Sequence, residues 1–129
     1  MILETTFLVD LLRGNAKALE KLKELQQRKE TQLVTAPTIH ELWRGIIRRR
    51  YGDQQRQKIE ETLAGIMVLG MTAETAKRSG EIEGKLANEG SMIDPEDCMI
   101  AGIALHNKES VLTNDEHFRL IEGLKVERY

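Results

Sequence analysis

Short apolar runs alternate along the chain with longer stretches of helical periodicity. Ile2-Leu3 is an apolar run that stops at Glu4, and Phe7 through Leu12 follows with helical character. Arg13-Gly14-Asn15 closes that segment with a glycine stop and an asparagine cap. From Ala16 to Arg28, Ala16, Leu19, Leu22 and Leu25 recur among lysines and glutamates, which predicts an amphipathic helix. Leu33-Val34-Thr35 reads as a short strand, and Pro37 then suits the first turn of a helix reaching Arg50, with Ile39, Leu42, Trp43, Ile46 and Ile47 on one side. Tyr51-Gly52-Asp53 breaks it, and another helix runs to about Ala64. Ile66-Met67-Val68-Leu69 has the pattern of a buried strand, and a long helix then spans Thr72 to Asn88. Asp94-Pro95-Glu96-Asp97 opens a helix whose body, Cys98 to Leu105, is apolar nearly all round and is therefore expected to lie buried. Ser110 to Thr113 is a further strand, Asn114-Asp115 turns into the short helix Glu116 to Leu120, and Gly123 to Val126 makes the last strand.

Short strands separated by helices imply a parallel sheet covered on both faces, one α/β domain over residues 1–129. Composition narrows the class further. A 40% hydrophobic and 31% charged chain is that of a globular domain, and no run approaches the roughly 18 apolar residues of a membrane span. The opening Met1-Ile2-Leu3-Glu4 lacks the basic and apolar regions of a secretion signal, and the lone Cys98 excludes an internal disulfide; both fit a reducing cytoplasm. The formal net charge of −2 does not announce a nucleic-acid binder. Arg44, Arg48, Arg49 and Arg50 nevertheless cluster in one helical stretch, either as a solvated helix end or as a patch for phosphates.

The chemistry lies in four acids on four segments. In open parallel sheets, ligands gather beyond the carboxyl ends of the strands. Glu4 follows the first strand, Glu41 sits early in the helix after the second, Asp97 opens the buried helix, and Asp115 follows the fourth strand. Carboxylates brought together repel one another, and a hard divalent cation, Mg²⁺ or Mn²⁺, relieves that repulsion. Such an ion activates water and stabilises negative charge on a phosphodiester. Each acid also has a plainer reading. Asp94 and Asp97 fit an N-cap with a capping-box-like partner, Thr38-x-x-Glu41 matches a capping box, and Asp115 can cap the helix containing Phe118. Glu4 is harder to explain that way, because an acid ending a buried central strand needs a partner. Asp10 reads as solvated or structural, and His40, His106 and His117 lack paired metal-ligand spacing.

Four blocks carry a resemblance: Met1–Gly14, Thr38–Gly45, Ile93–Gly102 and Val111–Phe118. In this order and spacing they resemble the PIN domain, and within it the VapC toxins of prokaryotic toxin–antitoxin pairs. The resemblance covers essentially the whole chain. It implies a three-layer α/β/α fold with a five-stranded parallel sheet of order 3-2-1-4-5. It also implies a Mg²⁺- or Mn²⁺-dependent endoribonuclease, homodimerisation and neutralisation by a VapB-type antitoxin. The family's four acids fall on Glu4, Glu41, Asp97 and Asp115, and Thr6 matches a hydroxyl residue that orients the site. Thr6 is also placed to cap the helix beginning near Phe7. One departure stands out: the family pattern has aspartate where this chain has Glu4. The extra methylene displaces the carboxylate, Mg²⁺ demands near-ideal geometry, and weakened turnover is the expected consequence.

The working expectation is hydrolysis of RNA, with Asp97 and Glu4 as direct metal ligands and Glu41 and Asp115 acting through water or at a second ion. Arg44, Arg48 and Arg49 would hold the flanking backbone, with Arg13 at the groove's rim. Other readings are a PIN nuclease of RNA maturation and a catalytically weak module that complexes an antitoxin. A phospho-accepting receiver domain requires an aspartate ending its third strand; here Leu69 is followed by Gly70-Met71, and that reading fails.

Overall fold

The computed structural model describes residues 1–129. Its elements run β1 (Ile2–Leu3), α1 (Thr5–Leu12), α2 (Ala16–Gln27), β2 (Leu33–Thr35), α3 (Ala36–Arg48), α4 (Asp53–Leu63), β3 (Met67–Leu69), α5 (Ala73–Asn88), α6 (Pro95–His106), β4 (Val111–Leu112), a 3-10 helix (Glu116–Leu120) and β5 (Val126–Glu127). All strands are parallel in the order β3-β2-β1-β4-β5, as the resemblance implied. Ile2 is in register with both Leu33 and Val111, which places β1 at the centre of the sheet.

The pleat sends alternate residues to opposite faces and thereby builds two cores. Leu3, Val34 and Leu112 pack with Phe7, Leu8, Ala18, Leu25, Ile46 and Ile59 from α1 to α4. Ile2, Leu33 and Val111 pack with Leu86 of α5, Ile100 and Ile103 of α6, and Phe118. The expectation for α6 holds: Cys98, Ile100, Ala101, Gly102, Ile103 and Ala104 are all buried. Gly102 lets α6 press on α5, since a Cβ there would lie 3.0 Å from the Ser79 amide nitrogen and 3.0 Å from the Thr75 carbonyl oxygen.

Three readings of the pattern need correction. The run Ile66–Leu69 does form a strand, but Met67 is 63% and Val68 48% exposed. β3 is an edge strand paired only with β2, and an apolar run cannot tell a covered strand from one left open. In α2 the inner positions are Ala18, Leu22 and Leu25, whereas Leu19 is 42% exposed, because a strict three-residue step drifts around a helix that turns every 3.6 residues or so. Ile47 faces outward at 62% exposure while Leu42 and Ile46 are buried, because at roughly 100° per residue it falls at the margin of that apolar face.

The helix starts decide which acids are free for chemistry. α3 is capped by Thr35, whose hydroxyl accepts from the Thr38 amide, so Thr38 lies inside the helix and Glu41 belongs to no capping box. Asp94 occupies the N-cap of α6, yet its side chain makes no cap hydrogen bond, and the Asp97 amide bonds to the Asp94 backbone carbonyl. Gly14, with φ of +74°, ends α1 through a bond from its amide to the Leu11 carbonyl. No helix is long and apolar enough to cross a membrane.

Candidate metal centre

β1 delivers Glu4 to the carboxyl end of the sheet, where it becomes the N-cap of α1. A carboxylate suits that position because the exposed amides of a helix start attract negative charge. The side chain is 2% exposed and folds back, so that Oε2 accepts from the Thr6 amide (3.0 Å), the Thr6 hydroxyl and the Thr113 hydroxyl (2.9 Å). Every hydrogen bond the carboxylate accepts falls on Oε2, which leaves Oε1 as its open ligand atom. Burial raises the Glu4 pKa against those bonds, and the charge of Asp115 adds to the rise.

Glu41 comes from the second turn of α3. Its Oε1 accepts from the Thr5 hydroxyl at 2.8 Å, and Oε2 faces the Arg44 guanidinium at 4.0 Å. Burial raises its pKa, Thr5 opposes this, and Glu4 and Glu96 reinforce it. Asp97, in the first turn of α6, is 6% exposed. No hydrogen bond from the protein stabilises its charge, and burial together with Glu4, Glu41, Asp115 and Asp94 pushes its pKa up to about 8. An acid this deep with no protein donor depends on water or a cation to offset its charge.

One oxygen each from Glu4, Glu41 and Asp97 lies within 4.8 Å of the others. Around one octahedral Mg²⁺ at least two of three ligand pairs are adjacent, about 3 Å apart, and an opposed pair is about 4.2 Å apart, so the three carboxylates would draw inward onto a shared ion. The donor set is all carboxylate oxygen, the preference of hard Mg²⁺ and Mn²⁺ rather than of softer metals. The residues therefore fit such an ion.

Asp115 stands outside this group of three. Its Oδ1 accepts from the His117 amide at 2.9 Å and lies 2.9 Å from His117 Nδ1, capping the 3-10 helix, while its charge still acts on Glu4 and Asp97. Thr6 holds Glu4 through both its amide and its hydroxyl. Arg13, Arg44, Arg48 and Arg49 line an open groove of about 650 Å³ between α1, α3 and α4 that reaches Thr5 and Glu41. Arg44 is already engaged, 2.7 Å from Glu96, whose pKa is lowered by its own backbone amide and then by Arg44. His40, His106 and His117 are exposed on separate segments.

Sequence reasoning missed Thr113 and Thr5. Thr113 is fully buried, donates to Glu4 and accepts from the Asp115 amide at 2.9 Å, tying the two acids together. The spacing Thr113-x-Asp115, a hydroxyl two residues before an acid at a turn, was the available signal.

With this geometry in place, comparison with known proteins defines the class: the PIN domain family matches residues 1–124, and the chain belongs to it. Within the family its relatives are VapC proteins. It is 27% identical to the tRNA(fMet)-specific endonuclease VapC of Shigella flexneri, over 98% of this chain and 95% of that protein. It is 22% identical to ribonuclease VapC2 of Rickettsia felis, over 99% of this chain and 96% of that protein. The fold is similar to that of VapBC2 from Rickettsia felis bound to a promoter DNA fragment, with a TM-score of 0.88, 22% identity, and coverage of 99% of this chain and 97% of that one.

Proposed function

We propose that this chain is a divalent-metal-dependent endoribonuclease and the toxin of a toxin–antitoxin pair acting in the cytoplasm. The observation that carries the reading is the convergence of Glu4, Glu41 and Asp97, with Asp97 accepting no hydrogen bond from the protein. The VapC relatives, nucleases by name, point to the same activity. Glu4, Glu41 and Asp97 would hold Mg²⁺ or Mn²⁺, with Asp115 behind them or at a second ion. When bound, the ion supplies Lewis acidity for water and charge stabilisation at the phosphodiester.

The chain's own residues set up that chemistry. Thr6 and Thr113 pin one Glu4 oxygen and aim the other, while Thr5 does the same for Glu41. Burial and the neighbouring acids raise the Asp97 pKa, and a cation would be held by its ionised form, so metal loading would strengthen as pH rises. Arg13, Arg48 and Arg49 offer guanidinium donors along the groove for an RNA backbone, with Arg44 held at the rim by Glu96. The same groove, with apolar Val9, Leu12 and Ile59 beside its arginines, suits a segment of a VapB-type antitoxin. The exposed apolar edge at Met67 and Val68 suits a homodimer contact.

Antitoxin-free protein incubated with tRNA and ribosomal RNA tests the reading. Cleavage is expected with Mg²⁺ or Mn²⁺, none with EDTA, and none with Asp97→Asn. Full metal-dependent cleavage by Asp97→Asn refutes the assignment. A second reading, a catalytically weak module retained for complex formation, is favoured by Glu4 in place of aspartate. It predicts RNA cleavage by Glu4→Asp and none by the unaltered chain.

A further inference from the structure

Tyr129 follows β5, and its side chain crosses to α1. Its hydroxyl donates to Asp10 Oδ2 at 2.6 Å, and its ring meets Phe7 edge-on with centroids 4.8 Å apart. Its backbone is gripped twice by Asn114, which accepts from the Tyr129 amide at 3.1 Å and donates to the Tyr129 carbonyl at 2.9 Å. Asn114 lies between Thr113, which bonds Glu4, and Asp115. Asp10 lies one helical turn beyond Thr6, which also bonds Glu4. The residue thus closes a ring: Glu4 to Thr113, along the backbone to Asn114, across to Tyr129 and Asp10, and back along α1 to Thr6.

We infer that Tyr129 is a positioning residue for the metal centre, clamping the Thr113–Asp115 turn to α1 so that Asp115 and the Glu4 carboxylate keep a fixed separation. The inference rests on the metal reading above. Two features suit the role. Burial, and then the bond to Asp10, hold the phenol protonated well above its ordinary range, so it remains a donor at any working pH. The ring contact to Phe7, itself fully buried, anchors the clamp in the core. Neither Tyr129 nor Asp10 belongs to the close group of three acids, so their effect travels through the elements they join.

Mn²⁺ titration of the EDTA-stripped full chain, read from the free-ion EPR signal, tests this, with thermal melting in EDTA monitoring the fold. Tyr129→Phe keeps the ring and loses the donor; Asp10→Ala removes the acceptor; Asp10→Asn preserves one. Tyr129→Phe and Asp10→Ala are each expected to weaken Mn²⁺ binding about tenfold, the scale of a lost outer hydrogen bond at a metal site. The double variant should be no weaker than either single, and Asp10→Asn should bind as the unaltered chain does. Unchanged Mn²⁺ affinity in Tyr129→Phe, or losses that multiply in the double variant, overturns the inference alone. No Mn²⁺ binding by the unaltered chain overturns the metal reading and this inference with it.

Discussion

Replacing Asp97 by asparagine should stabilise the metal-free protein while abolishing its activity. In the unfolded chain Asp97 ionises near its ordinary 3.8, but in the fold the value is about 8. The folded state therefore binds the proton more tightly than the unfolded state. Below about pH 4 Asp97 is protonated in both states and contributes nothing; as pH rises through the window up to about 8, stability is progressively lost. Unscreened, a displacement from 3.8 to about 8 corresponds to roughly 5–6 kcal/mol. The site opens to water, which screens the charges, and about 2–3 kcal/mol is the working figure. Asparagine keeps the shape and cannot ionise, so the variant escapes this penalty. Urea unfolding in EDTA, followed by the fluorescence of the single tryptophan, Trp43, measures the difference. The gain should be largest near pH 8.5 and clearly smaller near pH 5. Mn²⁺ at about a thousand times its Kd should reverse the order, since it adds about 4.1 kcal/mol to the unaltered protein. Equal stability of the two proteins near pH 8.5, or a gain independent of pH, refutes the reasoning.

Other outcomes follow from the same geometry. Glu4→Asp keeps an N-cap acceptor for the Thr6 amide and frees one methylene of space for an ion, so turnover should rise by as much as about a hundredfold; an equal or lower rate in a metal-dependent assay shows that the glutamate arm is fitted to the ion. Thr113→Val removes a donor to Glu4 and the acceptor for the Asp115 amide, and should weaken Mn²⁺ binding about tenfold in an EPR titration. Gly102→Ala forces a methyl against the α5 backbone and should cost about 2–3 kcal/mol in urea unfolding. Met67→Lys should leave the monomer folded and lower the apparent mass in sedimentation if the β3 edge is a subunit contact.

Much of the fold was legible because its central strands are buried on both sides. Ile2-Leu3, Leu33-Val34 and Val111-Leu112 are continuous apolar runs for that reason, with an acid or hydroxyl at the end of each. What the pattern could not carry was exposure. Ile66–Leu69 reads like the central strands, and only its place at the sheet's edge leaves Met67 and Val68 uncovered. In the site, Glu41 was ambiguous until Thr35 proved to be the cap of α3, and Asp94 until its side chain proved to cap nothing. Asp115 caps the 3-10 helix, as its plainer reading had it, and also bears electrostatically on Glu4 and Asp97. The spacing of Thr113 to Asp115 marks only a turn; its bond to Glu4 was beyond reach because it spans 109 positions of chain and is created only when β4 pairs with β1.

The most direct test of the central claim is to find where the ion sits. Protein loaded with Fe²⁺ in place of Mg²⁺ and exposed to ascorbate and peroxide is cut wherever its backbone approaches the metal. Fragments ending near Glu4, Glu41 and Asp97 are expected, suppressed by excess Mg²⁺ and absent from Asp97→Asn. Cleavage elsewhere, or the same fragments from Asp97→Asn, contradicts a metal centre built from these three carboxylates.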